Sequence, residues 1–310
     1  MSWLFLATVG QFIGAIVVFL DKYIVSDEKV LPRPFVYAFY SCLLTGFWVE
    51  IFLFGHIPGL DSLGLPTFTD IKKPTIQVLG MSFLAGYTFF MAIVSFYDAL
   101  KRAEAVNVMP VVGAVSALTT MAMSYFFLET TLSPNFTWGI AILIIGTLLV
   151  SQAMPEKYTL MVVIHSGFFF GFHAITMKAL FDEIGFDAGL FWSRIGLILF
   201  ALSLLMVPTY YKKITERTKE ATRRTGLLIL LAKILAGVSA FLLLQATYKG
   251  DVTVVQAMDG LKFVFILFIT VIFSKLLPNN VAKTETRPKE VMQKILYVIL
   301  IVVGFFVLFL

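Results

Sequence analysis

The sequence predicts an all-α, multi-pass membrane protein with ten transmembrane helices in two inverted five-helix repeats. Hydrophobic residues make up 59% of its 310 residues and charged residues only 14%, whereas soluble domains carry roughly 25% charged residues. The mean hydropathy is +0.91. Ten apolar stretches of about the length of a membrane span follow one another, and landmarks of the first five recur in the second five. A β-barrel would instead show alternating strands of about ten residues.

The apolar stretches define the spans. A helix needs about 20 apolar residues to cross the hydrocarbon core of a bilayer. We number the predicted spans one to ten in chain order: 3–20, 34–54, 75–98, 104–127, 135–153, 159–181, 187–208, 226–248, 252–273 and 294–310. The first stretch follows no basic leader and no small-residue cleavage site, so we expect it to be retained as a span.

The two halves, residues 1–153 and 154–310, carry the same landmarks in the same order. A shift of 147 residues superposes four positions: Ala99 on Ala246, Arg102 on Lys249, Glu104 on Asp251 and Gly113 on Gly260. Spans one and six each begin with a Gly-x-x-x-Gly pair and carry a lysine further on, Lys22 and Lys178. Five spans per unit is an odd number, so the second unit enters the membrane from the opposite side. Such inverted repeats are typical of transporters.

The distribution of lysine and arginine predicts the orientation. Loops after the odd-numbered spans carry seventeen of these residues and the other loops carry three. The positive-inside rule then places both termini on the non-cytoplasmic side of a plasma membrane, the inner membrane in a prokaryote. The basic segment 210–224 predicts an amphipathic helix on the membrane surface. Because the positive charge lies between the spans, the net charge of +5 does not indicate a nucleic-acid partner.

Segment 99–150 resembles the EamA-type family of the drug/metabolite transporter (DMT) superfamily. The matching features are Ala99-Leu100 before Lys101-Arg102, Pro110 early in span four, Leu128-Glu129 at its end, and Gly139 and Gly146 in span five. The resemblance implies ten helices in two inverted repeats, with no prosthetic group. It also implies a central cavity among spans one, three, four, six, eight and nine. Spans five and ten would lie outside it, against lipid or, in a homodimer, a second subunit. Members of the family move small metabolites, often coupled to protons or by exchange.

Span nine departs from the family pattern, because Ala257 stands where a proline is favoured. It also carries polar residues at every third position: Thr253, Gln256, Asp259 and Lys262. A lone charge in the bilayer costs about 3 kcal/mol or more, and Lys262 is too deep to reach either surface cheaply. We therefore predict a wet cavity wall on which Asp259 and Lys262 meet a substrate or a proton. The alternative is a structural ion pair that neutralises itself.

Lys233 in span eight is the second deep cation. It lies about four residues nearer the cytoplasm than Lys262, or roughly 6 Å, so two lysines could surround Asp259. The surplus positive charge would favour a substrate carboxylate or phosphate. Alternatively, Lys233 extends to the cytoplasmic headgroups. Arg194, near the outer end of span seven, is predicted to be an interface anchor.

Four further residues are candidates for substrate contacts. His173 in span six could carry a proton, or could be a buried histidine bonded to a backbone carbonyl. Gln11 and Asn107 could donate hydrogen bonds into the cavity or could hold helices together. Tyr87 could stack against a substrate ring or simply pack.

The sequence therefore predicts a secondary transporter of a small, polar metabolite that resembles an amino acid and is zwitterionic or anionic. The alternatives are a polyspecific exporter of lipophilic cations and a membrane scaffold or receptor that transports nothing. No nucleophile, phosphate-loop or metal-ligand pattern appears, so we expect no enzyme activity, no cofactor and no metal. The expected partners are a small-molecule substrate and membrane lipid.

Overall fold

The computed structural model of the chain describes residues 2–26, 33–55, 57, 64–128, 134–150, 156–218 and 223–272, with isolated positions between 296 and 307. The α-helices in these ranges are α1 (Trp3–Ser26), α2 (Pro34–Gly46), α3 (Ile51–Phe54), α4 (Ile76–Arg102), α5 (Ala105–Phe127), α6 (Pro134–Val150), α7 (Lys157–Ile184), α8 (Phe186–Leu204), α9 (Pro208–Thr218), α10 (Arg223–Lys249), α11 (Val252–Ala257) and α12 (Asp259–Ile272). Two 3₁₀ turns accompany them, Phe47–Glu50 between α2 and α3 and Phe68–Asp70 before α4. The described residues contain no strand, so the all-helical prediction is confirmed for them.

Eight helical segments of the described chain are long and apolar enough to cross a membrane. They consist of α1, α2 with α3, α4, α5, α7, α8, α10, and α11 with α12, and they correspond to the predicted spans one to four and six to nine. Span five forms α6, of which the structure describes 17 residues; the rest of the predicted span, 151–153, is outside the described part of the chain. Span ten falls almost entirely outside the described residues, and so does the predicted boundary at residue 153.

Local sequence signals set the ends of several helices. Pro34 occupies the first helical position of α2, where its missing N–H leaves no bond unmade. The Thr75 hydroxyl accepts the backbone N–H of Val78 at 3.2 Å and so caps α4. Asp251 caps α11 by accepting two backbone N–H groups, at 2.7 and 3.1 Å. Such caps satisfy amides that the first turn of a helix leaves without partners.

Span nine is interrupted at Met258, between α11 and α12. The backbone N–H of Leu261 bonds to the carbonyl of Met258, three residues back, which is the tighter 3₁₀ spacing. The sequence predicted one continuous helix for this span, but the turn at Met258 changes the direction in which side chains point between Gln256 and Asp259. Asp259 becomes the first residue of α12, where the helix dipole favours a negative charge.

Helices of the first half pack mainly on helices of the second half. α1 runs along α10, α4 runs along α7 and α8, and α5 runs along α7. α2 contacts both α4 and α8. The two halves therefore share one interior, and a site in its centre is built from both.

The segment predicted as an amphipathic surface helix forms α9 as far as Thr218. Tyr211 and Lys212 are exposed on this helix, whereas Ile214 is buried against the core. Residues 219–222 are outside the described part of the chain. The last two residues of the predicted segment, Arg223 and Arg224, belong to α10 instead.

α4 and α8 approach each other closely at Gly196. A Cβ atom at this position would lie far inside the contact distance of the Ser82 carbonyl oxygen. Only glycine therefore permits this helix crossing without a shift of the backbone.

We expect Gly196→Ala to lower the midpoint of thermal unfolding in detergent by about 3 to 9 °C, because overpacking costs about 1–3 kcal/mol. Gly80→Ala, on α4, is the matched control, since an added Cβ there meets nothing within 4 Å. Its midpoint should stay constant or rise slightly, because alanine favours a helix over glycine by about 1 kcal/mol. Equal midpoints for the two variants would contradict the close approach of α4 and α8.

Candidate functional site

A cavity of about 180 Å³ lies in the interior shared by the two halves. Its walls come from α1, α2, α4, α5, α7, α10 and α12. These helices include the six spans that the family resemblance places around a cavity, and span two contributes as well. Aromatic and aliphatic side chains such as Phe89, Phe96 and Phe170 form much of the lining. Two acidic and two basic side chains also line it: Asp21, Lys233, Asp259 and Lys262.

Asp259 and Lys262 form an ion pair at one part of this lining. The Lys262 Nζ donates to the Asp259 Oδ1 at 3.2 Å, and both side chains are largely buried. The Gln11 Nε2 donates to the same oxygen at 2.6 Å. Gly14, one turn further along α1, leaves room for the lysine, since an added Cβ would lie 3.1 Å from the Lys262 Cε. The predicted residues Gln11, Asp259 and Lys262 therefore meet in one polar cluster.

Lys233 forms a second pair, with an acid that the sequence analysis missed. Its Nζ donates to the Asp21 Oδ1 at 2.9 Å and to the Tyr97 hydroxyl at 2.8 Å. The Tyr37 hydroxyl donates to the same Asp21 oxygen, and the lysine Nζ lies 4.4 Å from the centre of the Tyr37 ring. Both predictions for Lys233 are corrected: it neither shares Asp259 with Lys262 nor extends to the headgroups, because Asp21 neutralises it in the core.

The sequence does contain a signal for Asp21. The predicted first span ended at residue 20, immediately before Asp21-Lys22, but the apolar residues Ile24 and Val25 follow. α1 continues to Ser26, and both charged residues are only 4% exposed. The Lys22 Nζ donates to the carbonyls of Leu100 and Ala103 at 2.6 and 3.0 Å, at the end of α4. Apolar residues beyond a charged pair thus indicate that the pair is buried.

The two clusters occupy different depths along α1. Gln11 and Asp21 are ten residues apart, which corresponds to about 15 Å along a helix axis. Each cation of the lining has its own acid, so the four side chains sum to no net charge. The surplus positive charge that the sequence predicted from two lysines around one acid is therefore absent from this lining.

Five of the predicted site residues are not among those that line the cavity. One of them, Gln11, contacts the lining through its hydrogen bond to Asp259. Gln256 instead accepts a hydrogen bond from the Ser116 hydroxyl at 3.4 Å, because the turn at Met258 separates it from Asp259. Tyr87 is 38% exposed and packs against the rings of Phe169 and Phe200. It lies two residues from Phe89, a step of about 200° around the helix, and so faces away from the lining.

His173 and Asn107 also lie away from the cavity lining. The Nδ1 of His173 is 3.1 Å from the carbonyl oxygen of Ala85, so this nitrogen is protonated and donates. That contact agrees with the alternative of a buried histidine bonded to the backbone. The Oδ1 of Asn107 is buried and has no hydrogen-bond partner among the described residues.

Arg194 is buried in the interior and is only 6% exposed. Its prediction as an interface anchor is therefore wrong. It lies eight residues, or about 12 Å, from the start of α8. Its side chain borders a small void, and two residues that line this void, Thr45 and Ala240, also line the central cavity.

The described residues contain no group of three His, Cys, Asp or Glu side chains that could hold a metal ion. Cys42 is a buried free thiol, and its Sγ lies 3.6 Å from the Leu197 carbonyl oxygen.

Comparison with known proteins supports the fold alone. No family model matches the chain, and no curated protein matches it. A solved structure described as "Crystal structure of protein" superposes with a TM-score of 0.62 over 97% of this chain and 96% of its own, at 15% sequence identity. A similarity at that identity extends to the overall helix arrangement and carries no function.

We expect Lys233→Met to destabilise the protein strongly, because it leaves Asp21 buried without its cation. Removing one partner of a buried ion pair costs about 3–5 kcal/mol. The double variant Asp21→Asn/Lys233→Met should recover much of that loss, which thermal unfolding in detergent would measure. Lys212→Met is the control, since its pair with Glu216 is exposed and such pairs contribute about 0–1 kcal/mol. Additive losses in the double variant would contradict a coupled pair.

Proposed function

We propose that the protein is a secondary transporter, similar to the EamA-type family, that moves a small polar metabolite by alternating access. The observation that carries this proposal is the position of the polar contacts in the cavity. The Asp21–Lys233 pair joins α1 of the first half to α10 of the second. The Gln11–Asp259 hydrogen bond joins α1 to α12. A site made of bonds between two halves can be opened by moving one half relative to the other.

The pairing of the helices supports ten spans in two inverted repeats. Exchanging the halves turns span one into span six and span three into span eight. If the halves are equivalent, the contact of span one (α1) with span eight (α10) should have a counterpart between span six (α7) and span three (α4). Both contacts are present. Likewise, the contact of span four (α5) with span six (α7) should have a counterpart between span nine (α12) and span one (α1), and both of these contacts are present.

Two lysines support the same repeat. Lys22 in span one donates to carbonyls at the end of α4, in span three. Lys178 in span six lies 3.5 Å from the carbonyl oxygen of Tyr248, near the end of α10 in span eight. In each half, therefore, the lysine of the first span binds near the end of the third span.

The two clusters act as alternating gates in this proposal. With both termini outside, as the positive charge of the loops predicts, Gln11 and Asp259 lie in the outer half of the membrane and Asp21 and Lys233 towards the cytoplasm. Inward opening separates Asp21 from Lys233, and outward opening separates Gln11 from Asp259. A substrate with both a positive and a negative group can replace the partner that each side chain loses. The proposed substrate is thus zwitterionic or anionic and small enough for a cavity of about 180 Å³.

Two alternatives are less well supported. An exporter of lipophilic cations needs a carboxylate without competing lysines, but both acids of the lining are paired with one. A scaffold or receptor would be favoured if Asp259 and Lys262 bonded only to each other, but Asp259 also accepts from Gln11. We also propose that the protein forms a homodimer through spans five and ten and that its outer surface contacts membrane lipid.

Thiol labelling tests alternating access without knowledge of the substrate. In a Cys42→Ser background, we expect a cysteine at Ala236, on the cavity wall, to react with a membrane-impermeant thiol reagent from either side of the membrane. Ala232→Cys is the control, since Ala232 lies one turn away on the same helix and is fully buried. It should stay unlabelled. Labelling of Ala236→Cys from one side only, under all conditions, would favour the receptor and reject transport.

Reporter fusions in a bacterial host test the orientation. Alkaline phosphatase, active only outside the cytoplasm, should be active when fused after Leu310 and inactive when fused after Thr218, because basic residues favour the cytoplasm. Green fluorescent protein, which folds in the cytoplasm, should give the opposite pattern. The reverse result for both reporters would place both termini in the cytoplasm and exchange the inner and outer gates.

A further inference from the structure

Arg194 differs from the other deeply buried cations of the described chain in having no partner. Lys22 donates to two carbonyls, Lys233 binds Asp21, and Lys262 binds Asp259. Arg194 makes no hydrogen bond and no ion pair with any residue in the described ranges, although only 6% of it is exposed.

An unpaired guanidinium in this position is costly. Arginine stays charged under all ordinary conditions, so it cannot relieve the cost by losing its proton. Burial of a charge without a counter-charge costs several kcal/mol. The five N–H donors of its planar fork match the oxygens of a carboxylate or a phosphate. A bound anion is the partner that would offset this cost.

The space beside Arg194 shares two of its lining residues with the central cavity. A void of about 10 Å³ lies beside its side chain, enclosed among others by Trp48, Leu190 and Phe241. Thr45 and Ala240 line both this void and the central cavity. A void of that size holds about one water-sized atom. It therefore has room for a single oxygen of an anionic group whose remaining atoms lie in the cavity.

The charges of the cavity lining also favour an anion beside Arg194. Asp21 neutralises Lys233, and Asp259 neutralises Lys262. Arg194 is then the one surplus charge at the described part of the site, and a ligand with a negative group on the Arg194 side would balance it.

We propose that Arg194 binds the negatively charged group of the transported substrate, a small organic carboxylate or phosphate, through the void beside Thr45 and Ala240. This inference rests on the proposed transport function, since it assigns the anion to the substrate of the same cavity. It also replaces the two lysines, which the sequence analysis had suggested for this role, with an arginine on another helix.

The test is thermal unfolding of the purified full-length protein in detergent and chloride-free buffer. The probes are L-glutamate with its amide counterpart L-glutamine, and succinate with succinamide. Sodium chloride and inorganic phosphate form a separate arm. At saturating concentration, glutamate or succinate should raise the unfolding midpoint of the wild type by a few degrees, because a ligand that binds only the folded state stabilises it. The amide counterparts should have no effect.

Substitutions identify the residue responsible. Arg194→Met should lose the shift with glutamate and succinate, and Arg194→Lys should keep a smaller one, because an ammonium on a flexible stem keeps the charge but not the rigidly placed donors of the guanidinium. Arg102→Met is the matched control and should respond like the wild type, since Arg102 lies at the exposed end of α4. Without ligand, Arg194→Met should unfold about 2 °C or more above the wild type, because it removes an uncompensated charge.

Several results would overturn the assignment. These are the absence of a shift in the wild type with either organic anion, a shift that survives in Arg194→Met, and a ligand-free Arg194→Met that unfolds below the wild type. A full shift with chloride or phosphate but none with the organic anions would assign an inorganic ion instead of a substrate.

Labelling at Ala236→Cys separates this inference from the proposed function. Labelling from both sides with no response to the organic anions leaves the transporter and removes the anion site. Labelling from one side only removes transport, whatever Arg194 binds.

Discussion

The need to neutralise charge in a low-dielectric interior determines how this molecule is put together. Lys233 can lie at the centre of the helix packing only because Asp21, Tyr97 and the Tyr37 ring surround its ammonium group. Since Asp21 and Lys233 belong to opposite halves of the chain, the same bond that neutralises the lysine also brings α1 against α10. A buried ion pair adds little stability compared with a well-packed apolar contact. Removing only one of its two charges, however, is strongly destabilising, because the other charge is left buried without a partner. The pair therefore specifies which helices meet.

Charge is also neutralised at Asp259, which pairs with Lys262, and here a break in the helix positions the carboxylate. Met258 interrupts span nine, so that Asp259 begins a helix in place of lying within one. Its carboxylate then faces Gln11 and Lys262 together, and the glycine at position 14 leaves space for the lysine stem. Discontinuous helices at the middle of the membrane are a recurrent way for transporters to expose polar groups without leaving backbone groups unpaired in lipid. Here the interruption is a single turn, and its effect is to select which side chains of span nine reach the cavity.

The sequence was most informative about the spans and least informative about which side chains meet. Hydropathy identifies eight helices that could cross a membrane, because a backbone in hydrocarbon must satisfy its own hydrogen bonds. Hydropathy also marks Lys233, Asp259 and Lys262 as exceptional, but the partner of Lys233 is 212 residues away and no local pattern identifies it. Gln256 was assigned to the wrong face because a three-residue repeat carries no sign of the turn at Met258. Hydropathy does not mark Asp21, because the apolar run ends at residue 20 whereas α1 continues to Ser26.

A difference between the paired and the unpaired cations bears on how binding and movement can be combined. Lys233 and Lys262 are each paired with an acid that also bonds to another helix, Asp21 across α1 and α10 and Asp259 to Gln11 of α1. In the proposed transporter, a substrate that binds either lysine therefore competes with a cluster that joins helices. Such a cluster suits a gate, because the substrate offsets the cost of opening it. Arg194 has no such bond to lose among the described residues, and it lies on α8, outside the two clusters. An anion bound there would leave both gates intact until a second group of the same ligand reaches one of them. Recognition by Arg194 would then precede opening, and a ligand without that second group would bind and remain untransported.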